Sequence, residues 1–594
     1  GFEVAERTVD AVLDIAEVSA THDLAIEVGG EVAPGLRPEP SSSEAVGLVV
    51  AMMVLLLSFG SVVAMGLPVA TAVFGLGIAL GAIGLLSSTL ELSSDAPMMG
   101  IMIGLAVGID YSLLIVSRHR ENLASGLEPA EAAARATATA GSAVVFAGAT
   151  VLIALASLAL IGIPRIRGLG LGPAIAVGMA VLVAISLLPA LLGFVGGNID
   201  RLAVPGLARR ATQAEGREAL AARWAGFVTG RPRRFLVGGV LVMLVLSIPV
   251  LSVRLGLPDA SHRSRATTER RAYDVMAASF GPGINGPLVV AADLRQSEDP
   301  RAAAALLQRR FSALDGVAVV PPPALNADRD TAVITVIPTG GPGDAVTESL
   351  LHRLRGSIRT DLEAAIGTRY SVTGQTAIVI DLSDRLDAAL LPFVSFVIGL
   401  TLVLLAVVFR SILVPLKAAF AILLSIGASF GVVVAVFQWG WLSGLVGVHE
   451  RLPIVSFVPM MMFAILFGLS MDYEVFILTR IREHHALTGD ARSSVLVGIS
   501  SSARVITAAA LIMVSVFASF LLGDHDLLKM FGLGLSVAVL LDATIVRMII
   551  VPAAMTLLGD RAWWLPRPLD RVLPDLDVEG RRLTDRLGAP GASP

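Results

Sequence analysis

Cysteine is absent from the 594 residues of the chain, and lysine occurs only as Lys417 and Lys529. Without cysteine the chain has no disulfide, no thiolate metal ligand and no cysteine nucleophile. Charged residues amount to 16%, well below the roughly 25% of soluble globular proteins. The formal net charge of −4 gives no reason to expect a nucleic acid partner.

Long hydrophobic stretches are what the chain has in excess. Hydrophobic residues make up 55% of it, and the mean hydropathy is +0.78. Many apolar runs reach about 18 residues, enough to cross a hydrocarbon core of about 30 Å as a helix. We therefore expect an α-helical polytopic membrane protein. Eleven spans are predicted, at about 44–61, 65–88, 97–118, 139–161, 169–195, 234–252, 388–409, 414–438, 453–479, 503–523 and 530–557.

Arginine in the loops predicts the orientation of the spans, because arginine-rich loops stay in the cytoplasm. The linker after the fifth predicted span carries Arg201, Arg209, Arg210, Arg217, Arg223, Arg231, Arg233 and Arg234. By the same span count the C-terminal tail is cytoplasmic and the polar stretch 253–385 is extracytoplasmic. Arg165 and Arg167 fall on the opposite side and are the main exception.

Seven segments follow from this division of the chain. The predicted boundaries are 1–43 for the end of a first extracytoplasmic domain, 44–195 for a first membrane domain of five spans, 196–233 for the basic cytoplasmic linker, 234–252 for a single span, 253–385 for a second extracytoplasmic domain, 386–557 for a second membrane domain of five spans and 558–594 for a cytoplasmic tail.

The polar stretch 253–385 alternates between two kinds of element. Short Val- and Ile-rich runs between turn formers predict strands at 287–293, 331–338 and 369–373. Apolar residues at helical spacing predict helices at 300–314 and 344–365. This order is typical of a ferredoxin-like, split βαβ domain of the α+β class.

An internal repeat relates the two halves of the chain. Residues 108–121 read GIDYSLLIVSRHRE and residues 470–483 read SMDYEVFILTRIRE. At a constant offset of 362, Asp110 matches Asp472 and Tyr111 matches Tyr473. The halves are therefore copies of one design.

The repeat also predicts a piece beyond the start of the chain. The second half has a single span and an extracytoplasmic domain before its five spans, whereas the first half has only residues 1–43 there. We expect a first span and most of a first extracytoplasmic domain before Gly1. Leu24–Glu31 would be the last strand of that domain.

The matched motif carries the chemistry. A carboxylate inside a span costs at least ~2.5–3.5 kcal/mol on insertion scales, and Asp110 and Asp472 each lie about eight residues inside a predicted span. Such a residue can cap a broken helix or pair with an arginine, but its presence in both halves favours a functional pair. Each neighbouring tyrosine can hydrogen-bond the opposite carboxylate, and two facing carboxylates can bind and release protons.

These two motifs, with FGPGINGPLVV at 280–290 and VTGQTA at 372–377, resemble the MmpL (mycobacterial membrane protein large) branch of the RND superfamily. The resemblance implies an RND-type pseudo-two-fold helical bundle with an extracytoplasmic porter domain, in a bacterial inner membrane. It implies export of lipids or other hydrophobic small molecules driven by the proton-motive force. It also implies a proton relay formed by Asp110, Tyr111, Asp472 and Tyr473.

Further polar and aromatic residues are candidates for a secondary role in that relay. In relatives, an aromatic residue four positions after each Asp and a small hydroxyl on the next span contribute, which implies Phe476 and Thr507 here, whereas Leu114 and Ala147 depart from the pattern. Asp542 lies in the last span and can pair with Arg547 or Arg504, or join the relay.

Other features of the spans predict structural roles. Glu474 lies about 200° round the helix from Asp472, which favours a partner-bound or interface role. Gly104, Gly108 and Gly468 predict close helix packing. GLGLG at 168–172 has neither a preceding strand nor a lysine, so it is no nucleotide loop.

Several functions remain open at this point. We expect no enzyme, no cofactor and no metal site; the expected partners are protons, membrane lipid and a hydrophobic substrate. A lipid- or sterol-sensing regulator and a SecDF-like accessory to protein export are alternatives on related scaffolds. Asp-Tyr pairs in both halves favour transport over sensing. A monomer is favoured and a trimer stays open, as do the substrate and the direction of transport.

Overall fold

The computed structural model of the chain describes residues 6–19, 24–30, 43–90, 92–93, 95–204, 214–263, 265, 267–366, 369–448, 450–523 and 525–572. Two compact units divide the chain. The first, here called the α+β unit, comprises Gly1–Pro40, Val253–Ala388 and Phe437–Ser456. The second, here called the helical unit, comprises Ser41–Ser252, Ala389–Val436 and Phe457–Pro594.

Helices account for most of the described residues. Helices α1 to α10 are Glu6–Ser19, Ser43–Phe59, Val62–Leu86, Ala96–Ala124, Pro129–Ala136, Ser142–Ala156, Pro164–Ile185, Leu187–Val195, Ala214–Gly230 and Pro232–Ser247. Helices α11 to α21 are Thr268–Phe280, Pro300–Ser312, Ala345–Arg355, Ser357–Ile366, Gln375–Phe409, Leu413–Val433, Val458–Thr488, Ala491–Ser519, Asp526–Leu541, Val551–Leu558 and Arg567–Val572. Short π-helical stretches lie at Thr137–Gly141, Val434–Gln438 and Asp542–Ile550.

The strands are short and few. Strands β1 to β7 are Leu255–Gly256, Leu288–Asp293, Val317–Val319, Ala324–Leu325, Thr331–Pro338, Tyr370–Thr373 and Ile454–Val455. All of them belong to the α+β unit.

Ten helical segments in the described part are long and apolar enough to cross a membrane. They are Val62–Leu86, Ala96–Ala124, Pro129–Ile161, Ile166–Asp200, Pro232–Ser252, Gln375–Phe409, Leu413–Gln438, Val458–Thr488, Ala491–Leu522 and Asp526–Trp563. One of the eleven predicted spans, the first at 44–61, is not among these ten and corresponds to the apolar helix α2. Its 17 residues cover only about 26 Å at 1.5 Å per residue. The chain is therefore a polytopic helical membrane protein.

The α+β unit is built on an antiparallel sheet. Its strands lie in the order β3-β5-β2-β6, with β4 also paired to β5. In the register of the central strands, Val290 lies opposite Ile334 on one side and Val372 on the other. Alternate residues of β2 are buried, as expected when one face of a sheet covers a core.

Helices α12 and α13 cover that face. Leu307 and Phe311 of α12 and Leu350, Leu351 and Leu354 of α13 are fully buried with Val290, Ile334 and Val336 of the sheet. Tyr370 of β6 completes the core, because its ring meets the Phe311 ring edge-on at 5.6 Å and its hydroxyl donates to the Leu354 carbonyl at 2.8 Å. One hydrophobic core thus holds the sheet and both helices together.

The predicted strand Leu24–Glu31 is wrong for the residues that the structure describes. Leu24 forms only an isolated bridge, and residues 25–30 are irregular. They pack against α11 instead: Arg271 bonds Glu27 at 2.6 Å, and Thr268 both donates to Glu27 and accepts from the Val28 amide at 2.8 Å. The side-chain contacts to one helix replace the ladder that a strand would need.

The helical unit packs its inner helices through small residues. Helix α4 lies against α3 and α7, and α17 lies against α6 and α18. A Cβ added at Gly104 would lie 2.9 Å from Ala176, and one added at Gly468 would lie 2.3 Å from the Val151 side chain. Only glycine lets these helices approach so closely, which confirms the predicted packing role. The motif Asp-Tyr residues follow these contacts along α4 and α17.

Candidate functional site

The centre of the site is a hydrogen bond between the two repeated motifs. The Tyr473 hydroxyl of α17 donates to the Asp110 carboxylate of α4 at Oδ1. Each of these residues is 1% exposed. The other carboxylate oxygen of Asp110, Oδ2, is buried and has no hydrogen-bond partner among the described residues. The carboxylate of the first motif is therefore held by the tyrosine of the second motif.

The reciprocal pair is only partly described. Tyr111 is fully buried on α4, and its ring lies 3.8 Å from where a Cβ at Gly148 of α6 would be. Asp472 belongs to α17, one residue before Tyr473, but its side chain lies outside the described atoms. The second Asp-Tyr pair stays a prediction from the repeat.

A buried arginine lies beside the Asp110–Tyr473 pair. The Arg547 guanidinium carbon is 4.4 Å from the centre of the Tyr473 ring, within the range of a cation–π interaction. The same guanidinium donates to the Asp542 carboxylate and, at 3.4 Å, to the Ser470 carbonyl. It also interacts electrostatically with Asp110. Arg547 thus links Asp542 to the central pair.

The local backbone explains how Asp542 reaches Arg547. The two residues are five apart, and in an α-helix that spacing places side chains about 140° apart around the axis. Asp542–Ile550 is instead π-helical, and its i→i+5 hydrogen bonding brings such residues nearly above one another. Ser470 donates to Asp542 at 3.1 Å, and a cavity of about 20 Å³ borders Ser470, Asp542 and Arg547, enough for one water molecule.

A second buried ion pair lies on the neighbouring helices. Lys417 of α16 bonds Glu474 of α17, and their side chains are 8% and 7% exposed. Glu474 therefore has the partner-bound role that its helix face predicts. Its charge also acts on Asp542. Lys417 was not identified from the sequence as the partner of Glu474. The signal that could have suggested it is that this lysine lies near the start of an apolar span, where an unpaired charge is costly.

The repeat is chemically unequal around the site. At the offset of 362, the first half has Leu55, Ser112, Ala180 and Ile185 where the second half has Lys417, Glu474, Asp542 and Arg547. Instead of an ion pair, Ser112 shares a hydrogen bond of 2.9 Å with Thr71. All four additional charges therefore lie in the second half.

The three candidate secondary residues lie in different places. Asp542 pairs with Arg547, not with Arg504, which donates to the Ser58 carbonyl at 2.9 Å. Phe476 is half-buried, with the Arg480 guanidinium 5.8 Å above its ring. Thr507 lies on the exposed face of α18 and donates back to the Ala503 carbonyl at 2.7 Å. The structure does not bring Thr507 to the buried pair, since Thr507 lies on the exposed face of α18.

Phe476 borders an open cavity of about 340 Å³ between α4 and α17. Both halves contribute equivalent residues to the lining of this cavity. The matched pairs are Leu114 and Phe476, Ser117 and Thr479, Arg118 and Arg480, and Glu121 and Glu483. Arg118 is held by Glu121 at 2.8 Å, and Arg480 lies 3.9 Å from Glu483. The cavity begins one helical turn beyond Asp110.

Comparison with known proteins places this constellation in a family. The model of the MMPL family matches residues 2–235 and 266–575, which includes both Asp-Tyr motifs and the Asp542–Arg547 stretch. This chain belongs to the MMPL family. The resemblance seen in the motifs is thereby confirmed.

Relatives in the family carry several descriptions. Membrane protein YdfJ of Bacillus subtilis is 39% identical over 98% of this chain and 79% of its own length. The mycolic acid-containing lipids exporter MmpL11 of Mycolicibacterium smegmatis is 33% identical over 93% of this chain. The heme uptake protein MmpL11 of Mycobacterium tuberculosis is 34% identical over 92%. The chain spans 58% and 56% of these two mycobacterial relatives.

One group of side chains in the α+β unit has a spacing compatible with a metal ion. Glu348 and His352 of α13 and Asp384 of α15 place their ligand atoms within 4.8 Å of one another. His352 lies 3.9 Å from Glu348 and 3.5 Å from Asp384, and all three side chains are substantially exposed. Exposed groups of this kind are common on protein surfaces and contribute little energy to each other, so we read them as a polar surface cluster.

Proposed function

We propose that this chain is a secondary transporter of the bacterial inner membrane, driven by the proton-motive force, that exports lipids or other hydrophobic small molecules. The observation that carries the proposal is the hydrogen bond from Tyr473 to Asp110 in the interior of the helical unit. Support for the substrate class comes from the lipid exporter among its relatives. Another relative is described as an uptake protein, so the direction in which the substrate moves must be measured.

Asp110 is the proton-binding group in this proposal. Among the described buried groups, Lys417 neutralises Glu474 and Arg547 neutralises Asp542. Among the buried carboxylates that the structure describes in the helical unit, this leaves Asp110 without an ion pair, and its charge is stabilised by one tyrosine hydroxyl and by the nearby guanidinium. A lone charge in a span is the costly state, so taking up a proton at the free Oδ2 relieves it.

Tyr473 acts as the switch partner of Asp110. Its hydroxyl donates to the ionised carboxylate, and the bond weakens once Asp110 carries a proton, because hydrogen bonds to charged groups are the stronger ones. Tyr473 joins the repeat carrying α17 to the repeat carrying α4. Alternating between strong and weak attachment lets the two repeats rock, as repeat-built transporters do. Tyr111 and Asp472 supply the matching pair in this proposal.

The orientation completes the proposal. The arginine-rich linker and the C-terminal tail lie in the cytoplasm, and the α+β unit lies outside, where it serves as a porter domain for the exported molecule. Protons enter from the outside and leave to the cytoplasm.

Proton flux in proteoliposomes tests the proposal. The protein is reconstituted with a pH gradient of either direction, and flux is followed with a trapped pH dye, with and without candidate lipids. Asp110→Asn and Asp472→Asn are expected to reduce flux to that of protein-free vesicles. Tyr473→Phe is expected to reduce it by about 10- to 100-fold, the value of a hydrogen bond to a charged group.

Two matched controls accompany these variants. Ser112→Ala removes a buried hydroxyl two residues from Asp110, and Asp328→Asn removes an exposed carboxylate of the α+β unit; both should keep wild-type flux. Wild-type flux in Asp110→Asn would refute the relay. Lipid binding without any gradient-dependent flux in the wild type would favour the sensing alternative instead.

A further inference from the structure

Helix α9, Ala214–Gly230, runs almost directly into the span Pro232–Ser252, with only Arg231 between them. Its described side chains separate into two faces. Ala225 and Val228 are fully buried, towards α18 and α20. Leu220, Trp224 and Phe227, which are 62%, 41% and 50% exposed, lie on the other face. Their i, i+4, i+7 spacing makes one continuous apolar stripe.

Three aromatic rings fix this stripe to the start of α10. Phe235 lies 5.0 Å from Phe227 and 6.2 Å from Trp224 between ring centres, both edge-on. The Trp224 indole also donates to the Met548 carbonyl at 3.0 Å. These contacts hold the stripe beside the first turn of a membrane span, and aromatic rings concentrate at the ends of such spans.

Four exposed arginines surround the stripe, namely Arg223, Arg231, Arg233 and Arg234. The Arg231 guanidinium lies 5.8 Å from the Phe227 ring. None of the four forms an ion pair with any carboxylate that the structure describes, whereas Arg118 and Arg120 of α4 and Arg135 of α5 are all paired. The side chains of Glu215 and Glu218, at the start of α9, lie outside the described atoms.

We propose that α9, Arg231 and the first turn of α10 form a docking surface for the headgroups of anionic phospholipids in the leaflet where α10 begins. The aromatic stripe enters the boundary between headgroups and acyl chains, and the arginines bind the lipid phosphates from the same level. A helix with an apolar face and a basic margin binds such a surface through the burial of its apolar side chains and through the attraction between its arginines and the anionic lipids. The proposal does not depend on transport.

A lipid-selective quenching experiment tests this surface. Because the chain has no cysteine, an Ala222→Cys variant takes a single fluorophore on the exposed side of α9. The full chain is reconstituted in dioleoylphosphatidylcholine vesicles containing a small fraction of brominated phosphatidylglycerol or brominated phosphatidylcholine. Brominated phosphatidylglycerol is expected to be enriched about fivefold or more at the label, the factor that a single arginine near an anionic surface contributes. The enrichment should fall with added salt.

Matched charge variants decide whether the four arginines are responsible. Replacing all four by glutamine should abolish the enrichment, and replacing them by lysine should retain it. Replacing Arg301, Arg309, Arg310 and Arg329, four exposed arginines of the α+β unit, by glutamine changes the net charge equally and should leave the enrichment intact. Thermal unfolding of each variant shows that it is folded.

Equal quenching by the two brominated lipids in the wild type would overturn the proposal. So would loss of the enrichment in the variant of the α+β unit, since that would reduce the effect to net charge. Enrichment that inorganic phosphate in the buffer removes at constant ionic strength would also overturn it, because a phosphate pocket rather than a lipid surface would then be present.

Discussion

Replacing Lys417 by leucine removes the partner of a carboxylate that lies inside the helical unit. Glu474 is then left 7% exposed with no cation beside it. Breaking a buried ion pair from one side costs about 3–5 kcal/mol, because the remaining charge is uncompensated. Glu474→Ser leaves Lys417 alone, and we expect a smaller cost, since a lysine near the start of α16 can extend its ammonium towards water.

The first half of the chain provides the design of the double variant. Its residues at the matching positions are Leu55 and Ser112, so Lys417→Leu with Glu474→Ser reproduces an arrangement that the fold already contains. Removing both charges removes the desolvation cost together with the attraction. We therefore expect the double variant to be close to the wild type in stability, and clearly more stable than Lys417→Leu alone.

Thermal unfolding in detergent measures these differences. The helical unit has roughly 400 residues, and an unfolding entropy of about 2.1 cal/mol/K per residue gives about 0.8 kcal/mol/K. A loss of about 3–5 kcal/mol then lowers the Tm by about 4–6 °C. If the shifts of the two single variants simply added up in the double variant, the pair would carry no coupling, and the reasoning would be refuted.

Three predictions concern the α+β unit. Phe311→Ala should lower the free energy of unfolding of this unit by about 3–5 kcal/mol, because the ring is fully buried against Tyr370; chemical denaturation measures this. Gly283→Ala should destabilise the unit, since the new Cβ would lie 1.8 Å from the Pro338 carbonyl oxygen, whereas Gly343→Ala meets nothing within 4 Å and should be neutral. The hydrogen bond from Arg271 lowers the pKa of Glu27 below its ordinary value of 4.5, so this bond stabilises the docking of residues 24–30 above pH 4.5 and is lost as pH falls through the lowered pKa. A nitroxide attached to residues 24–30 should gain mobility in that range.

Each of these has an outcome that contradicts it. An unchanged denaturation midpoint in Phe311→Ala would mean that the ring does not fill the core. Equal effects of the two glycine variants would remove the steric argument for Gly283. For the acid transition, a Glu27→Gln variant should show no change of nitroxide mobility with pH; a transition that persists in this variant would come from another group.

Hydropathy and the repeat were sufficient to predict most of the helical unit. In a bilayer the backbone must satisfy its own hydrogen bonds, so a long apolar run permits little besides a helix, and the boundaries differ mainly where helices such as α17 continue beyond the bilayer. The expectation that a motif tyrosine bonds the carboxylate of the other half also agrees with the contact between Tyr473 and Asp110. Residues 24–30 escaped this reasoning, because side-chain contacts with α11, distant in sequence, decide their conformation.

The charges around Asp110 were harder to predict. Lys417 and Glu474 are on different helices, and nothing in either local pattern says which partner each one takes. For Asp542 the sequence left Arg547 and Arg504 open as partners; the structure shows Arg547, although α-helical periodicity alone would place the two on different sides of the helix. Thr507 shows the opposite failure: a residue that family likeness suggests is turned outward, and its hydroxyl is used by its own helix.

The π-helical stretch Asp542–Ile550 holds one residue more in its turn than an α-helix would. If the same residues were wound as an α-helix, Arg547 would lie about 140° around the axis from Asp542, and its guanidinium would leave both Asp542 and the Tyr473 ring. The position of the Arg547 charge thus depends on the number of residues in this turn. Deleting one residue between 543 and 546 would bring Asp542 and Arg547 to the i, i+4 spacing at which an α-helix also pairs them, while turning the helix beyond the deletion by about 100° relative to the helix before it. Such a variant keeps the ion pair and changes which neighbours it faces, so it separates the role of the pair from the role of its position.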